Sequence, residues 1–177
     1  DFFDPVIVGR LMVAQLKDKA DIIVCLAHLG LDSSGDYSSE KVAMHVDGID
    51  VIVDGHSHTS LPEGRLVNNT LIVQAGDYIK NVGVVELKLA NGVLTKTAKH
   101  ITKAEAEVME SEQVIVDLVA KIQADNTAIT SEVIGTTTVR LDGDRGLVRT
   151  GETNLGNLIT DAMLYETGAQ IAFTNGG

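Results

Sequence analysis

Two short apolar runs, each followed by histidine, constrain this chain more than anything else in it. The stretch Asp50-Val51-Ile52-Val53-Asp54 is β-branched in the middle and reads as a short buried strand. Gly55 breaks it, and His56-Ser57-His58 follows. A strand running into Gly-His-x-His puts two imidazoles on a loop at the carboxyl edge of a sheet, the edge where ligands bind in open α/β sheets. Upstream, Ile22-Ile23-Val24-Cys25-Leu26-Ala27 is apolar on both faces, as a parallel strand covered on each side would be, and it ends at His28-Leu29-Gly30. Residues 39–46 between the two runs read as a short helix with Val42, Ala43 and Val46 facing inward. A right-handed crossover through that helix would deliver His28, His56 and His58 to one edge. Neutral imidazole carries a free lone pair and is the commonest metal-binding side chain, so the three predict a metal site. The competing reading is a polar loop that happens to hold histidines, as His45 sits solvated among polar neighbours.

Composition narrows the partners. The 177 residues suffice for one domain, or one domain and part of another. At 44% hydrophobic and 3% aromatic, with no Trp, the core must be aliphatic. No apolar run approaches the roughly 18 residues that span a membrane. A net charge of −11 argues against a nucleic-acid polymer as partner, but not against a small anion held by a local ion. The start, Asp1-Phe2-Phe3-Asp4-Pro5, has neither a basic opening nor an apolar core of the signal-peptide kind, and it lacks Met, so a longer precursor is expected. Cys25 has no second cysteine to pair with and reads as an inert buried thiol.

The remaining elements follow from caps and periodicity. Asp4-Pro5 predicts a helix start, with Val8, Leu11, Met12 and Leu16 on its apolar side. Residues 31–39 form a polar loop containing Gly35. A turn at Leu61-Pro62-Glu63-Gly64 leads to a strand over 71–74, and Gly76-Asp77-Tyr78 is a loop. Residues 83–89 alternate as a half-exposed strand, Asn91-Gly92 signals a two-residue hairpin, and 93–101 return antiparallel. A single acidic helix over 105–126 carries Ile115, Leu118, Val119 and Ile122 on one stripe and reads as a connector whose stripe packs on a domain. Beyond it, 133–141 read as a strand, 142–146 as a flexible turn, 154–167 as a helix capped by Gly168, and 171–173 as the opening of a strand. The pattern predicts a partial α/β/β/α sandwich over 1–104, a connecting helix over 105–127 and the start of an α+β domain over 128–177.

Three imidazoles can hold one first-row metal or share two. A second ion needs carboxylate or amide ligands, for which Asp54 and Asp77 are candidates without a decisive spacing.

The ordered set of motifs resembles the 5′-nucleotidase family of calcineurin-like metallophosphoesterases. It consists of the run from Asp21 to Gly30, Gly55-His56-Ser57-His58-Thr59, Gln74-Ala75-Gly76-Asp77-Tyr78, the run from Gly151 to Ala162, and Asn175-Gly176-Gly177. The resemblance implies a dinuclear site for two divalent ions, zinc, manganese or similar, with His28 and His56 on one ion and His58 on the other. Close relatives carry Gln in place of His58. It further implies that Asn175 helps hold a nucleotide substrate. Many relatives have a phosphate-contacting arginine just before Glu152; here that position is Gly151, with Arg149 nearby. The family's Asp-x-His, Gly-Asp and Gly-Asn-His motifs would lie upstream of Asp1, so no catalytic residue is assigned here.

The resemblance implies hydrolysis of nucleotide phosphate monoesters in a periplasmic, cell-surface or secreted protein. The isolated segment would be close to inactive. A 2′,3′-cyclic nucleotide 2′-phosphodiesterase, a nucleotide-sugar hydrolase of the same family and a non-catalytic metal-binding or interaction segment are the alternatives.

Overall fold

A computed structural model describes residues 3–31 and 37–176, which fall into two compact units, one ending at Ser111 and the other beginning at Glu112. The polar loop expected over 31–39 lies, for residues 32–36, outside the described residues, as does Gly177.

The first unit is a layered α/β structure. Helix α1 (Pro5–Leu16) starts as its sequence predicts: Asp4 accepts a hydrogen bond from Val6 N at 2.8 Å, and Pro5 occupies a position whose N–H would have had no partner. Strand β1 (Val24–Leu26) leads to α2 (Ser39–His45), capped by Ser38, and then to β2 (Val51–Val53). Next come β3 (Arg65–Val67) and β4 (Thr70–Val73). The sheet order is β1-β2-β4-β3, with β1, β2 and β4 parallel and β3 antiparallel at the edge.

Strand β3 was not legible from periodicity, because three residues are too few to set a period. Its turn was available in the sequence: Asn68 and Asn69 both take positive φ, the conformation of a tight hairpin turn that Asn tolerates.

Strands β2 and β4 are apolar on both faces because both faces are covered, whereas the outer face of β1 is open, with Val24 48% and Leu26 82% exposed, contrary to the buried strand its composition predicts. Ile52 and Ile72, each fully buried, pack with Val42, Ala43 and Val46 of the α2 region and with Val6 of α1. Val51, Leu71 and Val73 point the other way, against Val85, Leu87 and Ala98. Those residues belong to the long hairpin β5 (Asn81–Ala90) and β6 (Val93–Thr102), turned at Asn91-Gly92 as expected. Burying each such aliphatic side chain contributes about 1.5–3 kcal/mol. Lys96 of β6 fastens the hairpin to the amino end of the sheet: its Nζ donates to the carbonyls of Asp50, at 3.3 Å, and Asn69. It also stands 3.5 Å from Asp50 Oδ1.

The acidic helix is not continuous. A capping box between Thr102 and Glu105 starts the one-turn α3 (Lys103–Ala106), the chain leaves helical geometry before Glu112, and α4 (Gln113–Thr130) begins afresh. Glu107, Glu110 and Glu112 fall in that break, and Glu107 and Glu110, three residues apart, would set like charges together on a continuous helix.

In the second unit Ile115, Leu118, Val119 and Ile122 of α4 are 57%, 51%, 46% and 49% exposed, so the stripe is only half covered. Residues 133–141, rich in β-branched residues, and 171–173 are not strands, contrary to expectation. A strand needs a ladder partner for its backbone groups, and no strand occurs among the described residues of this unit. Part of the expected turn at 142–146 is instead helical: Asp144 accepts from Gly146 N and caps α5 (Arg145–Val148). Helix α6 (Asn154–Thr167) runs between the Thr153 cap and Gly168, which takes φ 64°.

Candidate functional site

The strand register brings two of the three predicted histidines together. Val24 pairs with Val51, Cys25 with Ile52 and Leu26 with Val53, so β1 and β2 end side by side. His28 lies two residues beyond the end of β1 and His56 three beyond that of β2. Their rings meet edge to face with centroids 5.2 Å apart, and both residues are exposed.

Each loop leaves room for the other's imidazole by means of a glycine. A Cβ at Gly55 would stand 2.8 Å from His28 Nδ1, and one at Gly30 would stand 3.4 Å from His56 Cδ2 and 3.1 Å from the Ser57 Cβ. The two histidines of the second loop take left-handed backbone conformations, φ 75° at His56 and 55° at His58. Such conformations in residues other than glycine are uncommon, and they gather at functional sites.

His58 belongs to a neighbouring group. Its Nδ1 lies 3.6 Å from Asp77 Oδ2, and its ring meets Tyr78 with centroids 6.1 Å apart. Asp77 also pairs with Lys80 at 2.8 Å, and the Lys80 hydrogen bond holds its carboxyl below the ordinary range. Tyr78 and Ile79 are exposed and both take positive φ. Among the described residues no three of His, Cys, Asp and Glu are gathered as a single metal-holding set. The side chains form a His28–His56 pair and a His58–Asp77 pair.

Asp54, the other candidate carboxylate, is engaged in the loops themselves. Its Oδ1 accepts from Leu29 N at 2.9 Å and Gly30 N at 3.2 Å, and its Oδ2 from Gln74 Nε2 at 3.4 Å. Cys25, half-buried in β1, has its thiol pKa pushed up by burial and by the charge of Asp54, which fits an inert thiol.

In the second unit Asn175 lines a cavity of about 540 Å³ with Glu152, Thr153 and Asn157 at the start of α6. Arg149 donates from Nε to Gly176 O at 3.3 Å, beside that segment.

Sequence reasoning gave no role to Gln74, Ser57 and Thr59, which knit the histidine loops together. The signal available was a polar residue closing the apolar strand Leu71-Ile72-Val73.

Comparison with known proteins agrees with this architecture. Residues 133–177 match the model of the 5′-nucleotidase C-terminal domain. The chain is 34% identical to the trifunctional nucleotide phosphoesterase protein YfkN of Bacillus subtilis, a match covering 92% of this chain and 11% of that protein. The structure of a 5′-nucleotidase precursor from Thermus thermophilus superposes with a TM-score of 0.58 at 28% identity, covering 94% of this chain and 36% of that one. The calcineurin-like phosphoesterase YfkN structure from Bacillus subtilis shares the fold, with a TM-score of 0.58 at 18% identity over 73% of this chain and 45% of that one.

The fold is that of the calcineurin-like phosphoesterases. Within them the chain belongs to the 5′-nucleotidase family, and it spans between about a tenth and a half of the length of these relatives.

Proposed function

We propose that this chain is part of a divalent-metal-dependent phosphohydrolase that removes phosphate from nucleotides as a 5′-nucleotidase does. The observation that carries the reading is the meeting of His28 and His56 at the ends of two registered parallel strands, 5.2 Å between ring centroids. Two exposed imidazoles in a cradle that a Cβ at Gly55 would fill suit a first-row divalent ion such as zinc or manganese. They fit as part of its donor set.

His28 and His56 would hold one ion and His58 a second, with the rest of the ligands supplied by a longer polypeptide. Bound there, a pair of such ions would supply activation of a water nucleophile and positive charge for the phosphoryl oxygens.

The chain's own residues orient the donors. Asp77, ion-paired with Lys80 at 2.8 Å, stands 3.6 Å from Nδ1 of His58 and sets a negative charge beside that side of the ring. Asp54 fixes the loop carrying His28 through the amides of Leu29 and Gly30. In the second unit, Asn175 and Arg149 would contact the nucleotide. The relative from Thermus is described as a precursor, which supports a location outside the cytoplasm, periplasmic, cell-surface or secreted.

The test is hydrolysis of AMP and of bis-p-nitrophenyl phosphate by the longer polypeptide and by the 177-residue chain, with and without manganese or zinc. The reading expects metal-dependent AMP turnover in the longer polypeptide and near-background turnover in the segment. Losing one electrostatic donor alone typically costs on the order of 10²–10³ in rate. A longer polypeptide that leaves AMP intact under every metal would overturn it.

A further inference from the structure

One buried side chain connects both histidine loops. Gln74, 3% exposed, closes β4 directly beneath them. Its Oε1 accepts from Thr59 N at 2.6 Å and from Ser57 Oγ at 3.2 Å, both in the loop that carries His56 and His58. Its Nε2 donates to Asp54 Oδ2 at 3.4 Å, and Asp54 Oδ1 in turn accepts from Leu29 N and Gly30 N beside His28. A second link runs directly between the loops, from Leu31 N to Ser57 Oγ at 3.1 Å. Since Ser57 gives its one proton to Gln74, the Thr59 hydroxyl, 2.9 Å away, donates to Ser57.

The chemistry of this position is specific to a primary amide. It must accept on one side, from the Ser57–Thr59 loop, and donate on the other, to an ionised carboxylate. Glutamate would keep the acceptors but set a second carboxylate against Asp54. Leucine would keep the volume and supply neither function. Asparagine is one methylene too short to reach both loops from the end of β4.

We infer that Gln74 is a positioning residue: through Asp54 and Ser57 it holds the His28 loop and the His56–His58 loop in one fixed geometry, so that the His28 and His56 nitrogens face a common ion. This rests on the reading of the histidines as metal ligands. Partners behind metal-binding histidines typically matter by 10–100-fold in metal affinity, although they never touch the ion.

The experiment is a cobalt(II) titration of the 177-residue chain, read by calorimetry and by the visible ligand-field absorption of the bound ion. The parent is compared with Gln74→Leu, Ser57→Ala and His56→Ala, with thermal unfolding followed in parallel. Gln74→Leu is expected to weaken cobalt binding about tenfold or more and to change the band positions while the chain still unfolds cooperatively. Ser57→Ala breaks the direct link between the loops and leaves the backbone intact, so it should give a smaller loss of the same sign. It carries the test if Gln74→Leu does not fold. Folded variants that bind cobalt within twofold of the parent, with an unchanged spectrum, would overturn the positioning role while His56→Ala still loses the ion. Retention of the ion by His56→Ala would instead overturn the histidine assignment itself.

Discussion

Gly55 and His28 are packed so closely that the glycine's missing side chain is part of the site: a Cβ there would lie 2.8 Å from the imidazole Nδ1. The His28 ring is exposed, so it can swing aside if a methyl group is added. Gly55→Ala is therefore predicted to displace the ring more than it destabilises the fold. Urea unfolding should change by less than about 0.5 kcal/mol. Zinc affinity measured by calorimetry should fall on the order of tenfold.

Lys96 tests how the hairpin is held. Its side chain is nearly buried, 6% exposed, and its ammonium lies among the oxygens of Asp50 and Asn69. Lys96→Met keeps the stem and removes the donors, leaving those oxygens short of a partner. Asp50 retains its bond from Ile23 N at 2.9 Å, which limits the damage. The expected loss in a urea titration is about 1–3 kcal/mol.

The parts of the fold that were legible in the sequence are those whose causes are local or periodic. The Asp4-Pro5 helix start, the Asn91-Gly92 turn and the Gly168 cap each rest on a few neighbouring residues, and each is found. The continuous apolar run at β2 announced a strand covered on both faces, which is what Ile52 on one side and Val51 on the other provide, while the same reading of β1 fails on the face of Val24 and Leu26, which is exposed. The pairing of His28 with His56 followed from reading two strand ends as neighbours.

What could not be read depends on partners distant in sequence. Residues 133–141 have the composition of a strand, but a ladder requires an adjacent strand that composition does not reveal. The engagement of Asp54 by loop amides, and the pairing of His58 with Asp77, are set by loop conformations at left-handed residues. Gln74 stood out only as a polar residue closing an apolar strand, because a buried amide is recognisable as a connector only once both of its loops are in place.

Cys25 should behave as a structural thiol. Burial, and after it the charge of Asp54, pushes its pKa above the ordinary value, so at neutral pH less thiolate is present than in a free cysteine. Alkylation by iodoacetamide in the folded chain is expected to be much slower than in guanidinium at a denaturing concentration. Equal rates would mean that the strand does not shelter it.

The start of α3 should be sensitive to acid. Glu105 accepts from Thr102 N at 2.8 Å and from its hydroxyl at 2.7 Å, and these bonds hold its pKa below the ordinary glutamate range. A lowered folded-state pKa means that the contribution is fully present above the unfolded value. It is lost as pH falls through the folded one. Carbon-detected NMR titration should find the Glu105 midpoint below the ordinary glutamate value. Thr102→Ala should move it upward toward the ordinary value.

The central claim is that His28 and His56 bind one ion together, and X-ray absorption at the zinc edge of the zinc-loaded 177-residue chain addresses it most directly. The account predicts the multiple-scattering pattern of two imidazoles with Zn–N distances near 2.0–2.1 Å. Either His28→Ala or His56→Ala should reduce that pattern to one imidazole or abolish binding. A zinc shell of oxygen atoms alone, unchanged by both substitutions, would contradict it.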